Sequence, residues 1–289
     1  MEAAGLAAIA VTVAAWSLAP VIVSRAAAKL GHIDPLAFNG WRMLIAAAAT
    51  IPPAYIYERF PLKTPWLDPM FELGVWLGGV VATVLGDSLF VYSVSGVGAS
   101  VAMPVSYLFV IWTGAYDYLR GVAGPQVLLA AVLAVAGVWI VSTSEGGRTG
   151  GSRNRRLAAL AAAVATSLVW GGSMYAYQVA LSRAGYLSVA SARAVFTTLV
   201  LLPPMLSWRG AGRVAGEIVL SSLLGYVVGA LAFLEALTLM PASLVALGIA
   251  MTPVASQALA APLASERVER RLLLGGALVA AALAIAGMK

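Results

Sequence analysis

Cysteine is absent from the 289 residues, and histidine occurs once, as His32. The lack of cysteine excludes disulfides, thiolate nucleophiles and cysteine-ligated metals or clusters. The segments HExxH, GxSxG and GxxxxGK[ST], typical of zinc proteases, serine hydrolases and nucleotide-binding loops, are also missing. We therefore predict a protein that is not an enzyme and that holds no metal and no cofactor.

Charge is the second scarce feature. Charged residues make up 10% of the chain and hydrophobic residues 61%, with a mean hydropathy of +0.92. Soluble domains carry about 25% charged residues, so the composition predicts an integral membrane protein, with the lipid bilayer as its partner. We expect it to be a multi-pass protein of the plasma membrane. The net charge of +6 would suit nucleic acid. However, the basic residues fall between apolar runs and form no stripe with aromatics, so we expect no nucleic-acid binding.

Long apolar runs are abundant. A helix needs about 20 apolar residues to cross a bilayer, and the chain has ten runs of roughly that length: 3–23, 36–57, 71–94, 99–117, 123–142, 157–179, 188–207, 216–239, 242–264 and 271–288. We predict an all-α integral membrane protein with ten transmembrane helices. Five lie in residues 1–145 and five in 157–289, joined by a basic, glycine-rich linker at 146–156.

The two halves repeat each other. Four residues recur in the same order: Trp16, Arg42, Pro52 and Pro53 in the first half, and Trp170, Arg193, Pro203 and Pro204 in the second. The two arginines lie 151 positions apart, which indicates an internal duplication. Because each repeat has an odd number of helices, the second must enter the membrane from the opposite side. The repeats are therefore inverted, and that geometry suits alternating access.

These motifs resemble the drug/metabolite transporter superfamily in its ten-helix form, built from two EamA-type repeats. The matching features are Trp16-Ser17 and Trp170-Gly171-Gly172, Arg42 and Arg193, Ala99-Ser100 with Pro104 and Ala242-Ser243 with Pro253, Asp117 and Glu266, and Gly137 and Gly287. The resemblance covers essentially the whole chain. It implies a secondary transporter of a small organic solute.

The resemblance also implies a cavity lined by the first, third and fourth helices of each repeat. That nominates Trp16, Asp87, Tyr107, Trp112, Trp170, Tyr175, Gln178, Glu235 and Gln257 as cavity residues. Single tryptophans and tyrosines also form interfacial belts, so each aromatic has this plainer alternative. Residues matched between the repeats are expected to be structural: Arg42, Arg193, Pro104 and Pro253.

Asp87 is the acidic residue placed deepest in an apolar run. It lies 11 residues before Gly98, or about 16 Å along a helix, near the middle of a bilayer. The functional hypotheses are proton coupling and a counter-charge for a cationic substrate group; the alternative is a buried structural partner. A constant offset of 149 pairs Asp87 with Ala236, so the repeat does not preserve the acid. Glu235 lies closer to its helix end, and an interfacial role is favoured.

Arg42 and Arg193 lie about six residues inside their apolar runs, shallow enough to reach the interface with their side chains. They could bind an anion, or they could cap helix carbonyls and lipid phosphate. Their duplication favours the structural role, since one asymmetric substrate rarely needs both copies. Pro104, Pro253 and Pro262 lie inside apolar runs and predict kinks, with hinges as the alternative.

We predict that the chain exports or exchanges a small organic metabolite, such as an amino acid, as a monomer or homodimer. Proton coupling through Asp87 and exchange of one metabolite for another both stay open. The alternative function is a non-transporting scaffold or lipid-binding assembly component. Membrane orientation also stays open, because the resemblance places both termini in the cytoplasm whereas the basic loop residues favour the outside.

Overall fold

The computed structural model describes residues 2–30, 33–97, 102, 105–142, 153–256 and 270–286. All regular secondary structure within these ranges is helical, and the ten predicted helices are present as two five-helix repeats. In chain order they are α1 Glu2–Leu30, α2 Pro35–Glu58, α3 at 69–97, α4 Phe109–Leu119, α5 Gln126–Ser142, α6 Arg153–Leu181, α7 at 186–207, α8 at 211–239, α9 Ala242–Ile249 and α10 Arg270–Ala286.

By length and hydropathy alone, three described stretches can cross a membrane: Pro69–Ser93, Arg156–Leu181 and Ala211–Leu239. Shorter apolar helical stretches lie within α1, α5, α7 and α10, and a further one, Ala242–Ser256, includes α9. Of the interruptions foreseen from sequence, Pro104, Pro262 and most of the linker lie outside the described residues.

Two helices begin in the same way. Asp34 precedes Pro35 and its carboxylate accepts from the backbone N–H groups of Leu36 and Ala37 at 3.0 and 3.2 Å. Asp68 precedes Pro69 and accepts from Met70 N at 2.9 Å. An aspartate cap followed by proline satisfies the first free N–H groups and sets the helical φ angle, which explains why α2 and α3 begin where they do.

Proline breaks some helices and not others. Pro52 and Pro53 lie inside the continuous helix α2. Their matched pair, Pro203 and Pro204, lies just after a break at Leu201, where α7 divides into Tyr186–Val200 and Leu202–Ser207. Helix α9 ends at Ile249, and helical structure resumes at 252–256, in a segment that contains Pro253. The Pro-Pro pair therefore occupies the same position in both repeats, but only in the second repeat does a helix break precede it.

The third helix of each repeat contains a π-helical segment. It covers Trp76–Gly86 within α3 and Leu223–Val228 within α8. Segments of this kind are rare in proteins, and those that do occur are often found at functional sites. Their occurrence in equivalent helices shows that the duplication extends to backbone geometry.

The chain forms two compact units that do not follow the repeats. Unit 1 comprises Met1–Val84 and Ser173–Leu239, and unit 2 comprises Leu85–Gly172 and Met240–Lys289. In unit 1, α1 packs on α8 and α2 on α7; in unit 2, α5 packs on α10 and α4 on α9. Each unit is therefore built by pairing helices of one repeat with helices of the other.

Small residues make these pairings close. A Cβ atom on Gly137 of α5 would lie 2.6 Å from the Gly275 carbonyl oxygen of α10. In unit 1, a Cβ on Gly74 of α3 would lie 2.7 Å from the Ala176 carbonyl oxygen of α6. Close backbone approach supplies the dispersion contacts that hold helices together where lipid removes the hydrophobic drive to associate.

Candidate functional site

The sequence-predicted cavity residues fall in both units. Unit 1 contains Trp16, Tyr175, Gln178 and Glu235, and unit 2 contains Asp87, Tyr107, Trp112 and Trp170. Gln257 and Pro104 lie outside the described residues.

In unit 2, Asp87 is the first residue after the π-helical segment of α3. The indole N–H of Trp170 on α6 donates to Asp87 Oδ1 at 3.2 Å. Gly86 makes room for this contact, because a Cβ there would lie 2.8 Å from Trp170 Nε1. A partly exposed carboxylate and a tryptophan, both nominated from the sequence, are thus brought together.

Two phenylalanines complete this group. The Trp170 ring lies 5.2 Å from the ring of Phe90 and 6.4 Å from that of Phe109, the second pair edge to face. Phe109 in turn lies 5.2 Å from Tyr107. We call Asp87, Phe90, Phe109 and Trp170 the Asp87 cluster. The sequence did not single out either phenylalanine, because their spacing is that of ordinary apolar helix residues.

Trp112 and Tyr107 have other contacts in unit 2. Trp112 is 43% exposed and donates through Nε1 to Ser167 Oγ at 3.1 Å. Tyr107 is buried and interacts with the side chain of Thr252. Tyr107 therefore borders the Asp87 cluster through Phe109, and Trp112 makes no described ring contact with it.

In unit 1, Trp16 contacts main chain instead of a carboxylate. Its Nε1 donates to the Gly225 carbonyl oxygen at 2.9 Å, inside the π-helical segment of α8. A Cβ on Gly229 would lie 2.5 Å from the Trp16 ring, so this glycine allows the tryptophan to approach. Phe233 packs at 5.3 Å from the same indole.

A threonine one turn before each tryptophan makes a matched contact. Thr12 Oγ1 donates to the Gly229 carbonyl at 3.3 Å, and Thr166 Oγ1 to the Gly86 carbonyl at 3.4 Å. The threonines and the tryptophans are each 154 positions apart. The pattern Thr-x-x-x-Trp, repeated at that offset, is a sequence signal that marks these contacts.

The two matched threonine hydrogen bonds show which residue of α8 is equivalent to Asp87 of α3. Because Gly86 corresponds to Gly229, Asp87 corresponds to Ala230, which is 1% exposed. The constant offset used above pairs it instead with Ala236, also buried. On either alignment, the carboxylate is present in one repeat only.

Arg42 is buried, 9% exposed, in unit 1. Its guanidinium donates to Asn39 Oδ1 and to the Ser221 carbonyl, both at 3.1 Å. Its Cζ lies 4.2 Å from the Tyr226 ring centroid, within cation–π range.

Arg193 is also buried in unit 1, at 5% exposure, and its Cζ lies 5.5 Å from the same Tyr226 ring centroid. It donates to Tyr177 Oη at 3.2 Å and to the Tyr226 carbonyl at 3.3 Å. Both arginines therefore donate to carbonyls in and beside the π-helical segment of α8, and contacts with helix carbonyls are one of the two roles expected from the sequence.

Two acidic residues sit at the N-termini of helices that lack a side-chain cap of their own. Glu58 accepts from Leu187 N and Ser188 N at 3.1 and 2.8 Å, at the start of α7. Asp117, which is 2% exposed, accepts from Ser243 N at 2.9 Å at the start of α9. A carboxylate here satisfies free N–H groups and the positive end of the helix dipole.

The remaining candidates lie near the ends of unit 1 helices. Gln178 Nε2 donates to the Leu237 carbonyl at 3.4 Å, and Tyr175 is half-buried. Glu235 is exposed, four residues before the end of α8 at Leu239.

The apolar pocket described in unit 1 has a volume of about 310 Å³. It is lined by Leu44, Ala47, Ala48, Ile51, Val195, Thr198 and Leu199, and by none of the candidate residues. Within the described ranges, no group of three or more His, Asp or Glu side chains is placed to hold a metal ion.

Comparison with known proteins identifies the family. The model of the EamA-like transporter family matches twice, at residues 3–143 and 157–288. No curated protein matches the chain. A solved crystal structure superposes with a TM-score of 0.75 and 18% identity, covering 99% of this chain and 96% of the other; at that identity the likeness shows the fold alone. Since the family model covers both repeats, the chain belongs to the EamA-like transporter family, whose members are multi-pass membrane proteins.

Proposed function

We propose that the chain is a secondary transporter that exports or exchanges a small organic metabolite, such as an amino acid, by alternating access between its inverted repeats. The family and the duplicated fold support transport. We base the proposed location of the transport site on the hydrogen bond from Trp170 to Asp87. An ionisable side chain deep in an apolar helix is costly to retain, and such residues usually mark a transport pathway.

The proposed roles follow from the contacts. Asp87 takes up and releases the coupling proton or holds a polar group of the solute, and Trp170 orients the carboxylate. Arg42 and Arg193 have framework roles, because both donate to the main chain of α8. Glu58 and Asp117 stabilise helix starts.

Transport is tested with purified protein in liposomes that contain an isotopically labelled metabolite extract. Mass spectrometry of the external buffer identifies what leaves, with and without a pH gradient. We expect a small set of solutes to exit faster than from protein-free liposomes. We expect Asp87→Asn to reduce that efflux at least about tenfold and to remove its dependence on the pH gradient, as loss of a required charged group does.

Glu72→Gln is the matched control, since it neutralises a carboxylate in the first turn of the same helix. It should transport like the wild type. If no solute leaves the wild-type liposomes under either condition, the scaffold function is favoured. If Asp87→Asn and Glu72→Gln behave alike, transport stands but the assignment of Asp87 does not.

A further inference from the structure

We infer that one end of unit 1 binds the headgroup of an anionic phospholipid. Four exposed basic residues define this end, which we call the basic end: Arg25, Lys29, Arg209 and Arg213. The inference goes beyond the proposed function, because a lipid site at the membrane surface does not depend on which solute the protein carries.

The fold of unit 1 brings these four residues to the same end. Two of them lie in the last two turns of α1, and the other two lie where α7 ends and α8 begins. One hydrophobic cluster joins these segments: it contains Ala26 and Val214, with Trp208 packed against it, and each of the three is the sequence neighbour of a basic residue. An ion pair between Lys29 and Glu217 connects α1 to α8 at the same place.

Positive charge exceeds negative charge at the basic end. Two acidic residues of the described chain lie there, and both have local partners: Glu217 pairs with Lys29, and Asp34 caps α2. Arg209 and Arg213 form no ion pair with any residue that the structure describes. The excess positive charge at this exposed surface is therefore complementary to an anion from outside the protein.

The opposite end of unit 1 has the reverse balance of charge. Its exposed basic residues are Arg59, Lys63 and Arg183, and Arg183 forms an ion pair with Asp68 at 3.6 Å. Four acidic residues lie at this end: Glu58, Asp68, Glu72 and Glu235. An anionic headgroup is therefore attracted to one end of unit 1 and not to the other.

Aromatic residues at the basic end favour a lipid over a soluble anion. Trp41 and Trp208 are both half-buried against the hydrophobic cluster that joins the basic segments. Tryptophan is enriched at the depth of lipid headgroups, and long basic side chains at helix ends reach toward that layer. Each basic residue close to an anionic membrane surface strengthens binding on the order of fivefold.

The test compares dioleoylphosphatidylglycerol, dioleoylphosphatidylcholine and glycerol phosphate. The two lipids have the same acyl chains and differ in net charge, whereas glycerol phosphate is an anionic headgroup without chains. Each probe is titrated into purified, delipidated full-length protein in a neutral detergent, and Kd is measured by native mass spectrometry with the Tm as a second readout. We expect phosphatidylglycerol to bind at least about tenfold more tightly than either other probe and to raise the Tm.

Substitution of the basic end should remove this preference. The triple variant Arg25→Gln, Arg209→Gln and Arg213→Gln should weaken the Kd for phosphatidylglycerol at least about tenfold. Replacement of the same three arginines by lysine keeps the charge and should preserve the preference. Lys29 is left unchanged in both variants, because its ion pair with Glu217 joins two helices.

The opposite end supplies the matched control. The triple variant Arg59→Gln, Lys63→Gln and Arg183→Gln removes the same charge there and should change the Kd for phosphatidylglycerol less than about twofold. The two ends are separated by the length of α2, Pro35–Glu58, or about 36 Å. That separation is several times the screening length of about 8 Å in physiological salt.

Equal Kd values for the two lipids would overturn the inference, as would equal losses of affinity in the two glutamine variants. Glycerol phosphate that binds as tightly as phosphatidylglycerol would also overturn it, because the occupant would then be a soluble anion. If the first triple variant does not fold, Arg209→Gln alone, at an exposed position between two helices, should still weaken the Kd severalfold. An unchanged Kd in that single variant would count against the basic end.

Efflux from phosphatidylcholine liposomes tests the proposed function separately. A preference for phosphatidylglycerol without any metabolite efflux supports the lipid site and defeats transport. Metabolite efflux without a preference for phosphatidylglycerol supports transport and defeats the lipid site.

Discussion

Trp16 and Trp170 occupy the same place in the two repeats, one turn after a threonine that binds the third helix, yet their indole groups meet different acceptors. Trp16 donates to the Gly225 carbonyl, and Trp170 donates to the Asp87 carboxylate. The first hydrogen bond joins α1 to a main-chain carbonyl of α8 and involves no charged group. The second joins α6 to an ionisable side chain of α3. The difference suggests that the fold is maintained by what the repeats share and that function uses what they do not.

The largest effect is expected when the same acidic residue is introduced into the second repeat. Ala230→Asp places a carboxylate at a position that is 1% exposed. A buried and uncompensated charge should lower the free energy of unfolding by at least about 3 kcal/mol, seen as a large drop in Tm and in the yield of folded protein. Ala230→Ser, a small neutral change, is the control. A well-folded Ala230→Asp protein would mean that the two sites tolerate acids equally.

The two arginine contacts differ in a way that substitutions can expose. At Gly79 a Cβ would lie too close to Arg193 Cγ and Cβ, which cannot move away easily, whereas at Gly225 the one overly close atom would be the Nη2 end of Arg42. We expect Gly79→Ala to lower the free energy of unfolding by about 1–3 kcal/mol and Gly225→Ala by less. Thermal melts of both variants check the order. The reverse order would show that Arg42 is the more rigid of the two.

The helix-capping carboxylates should give the smallest effects. Glu58→Gln keeps the side-chain size but removes the charge beside Leu187 N and Ser188 N, and it should cost about 1 kcal/mol. Asp34→Asn at the start of α2 is the control, because asparagine caps nearly as well as aspartate. A Glu58→Gln melt that matches the wild type would mean that the interaction of the carboxylate charge with the helix dipole contributes little at this site.

The fold was largely predictable because its signals are long and repeated. Ten apolar runs gave ten helices, and the matched Trp, Arg and Pro-Pro residues gave the duplication. The π-helical segments were not predictable, since their residues, such as Gly79 and Gly225, look like ordinary small packing residues. The interleaving of the repeats into two units depends on long-range packing that no local pattern records.

The candidate site was predictable in part. Asp87 stood out because it is acidic within an apolar run, and Trp170 because it is duplicated. Their direct contact was not foreseen, nor was the participation of Phe90 and Phe109. The sequence left open whether Arg42 and Arg193 bind an anion or contact helix carbonyls, because depth along a helix does not reveal which carbonyls a neighbouring helix offers.

We propose that Trp16 serves the fold and Trp170 serves transport, and a paired substitution tests this difference directly. Trp16→Phe and Trp170→Phe each remove one indole N–H and keep an aromatic ring. The measurement is the rate of metabolite efflux from liposomes, normalised to folded protein, beside the Tm of each variant.

We predict that Trp16→Phe lowers the free energy of unfolding by about 1 kcal/mol, because one hydrogen bond is lost, and that the Tm falls with it. The normalised rate of efflux should change little. We predict that Trp170→Phe also lowers the Tm, because a hydrogen bond to a carboxylate is lost, and that it alone slows the normalised efflux severalfold, because Asp87 loses the group that orients it. Equal losses of rate in the two variants, or a normal rate in Trp170→Phe, would contradict the account.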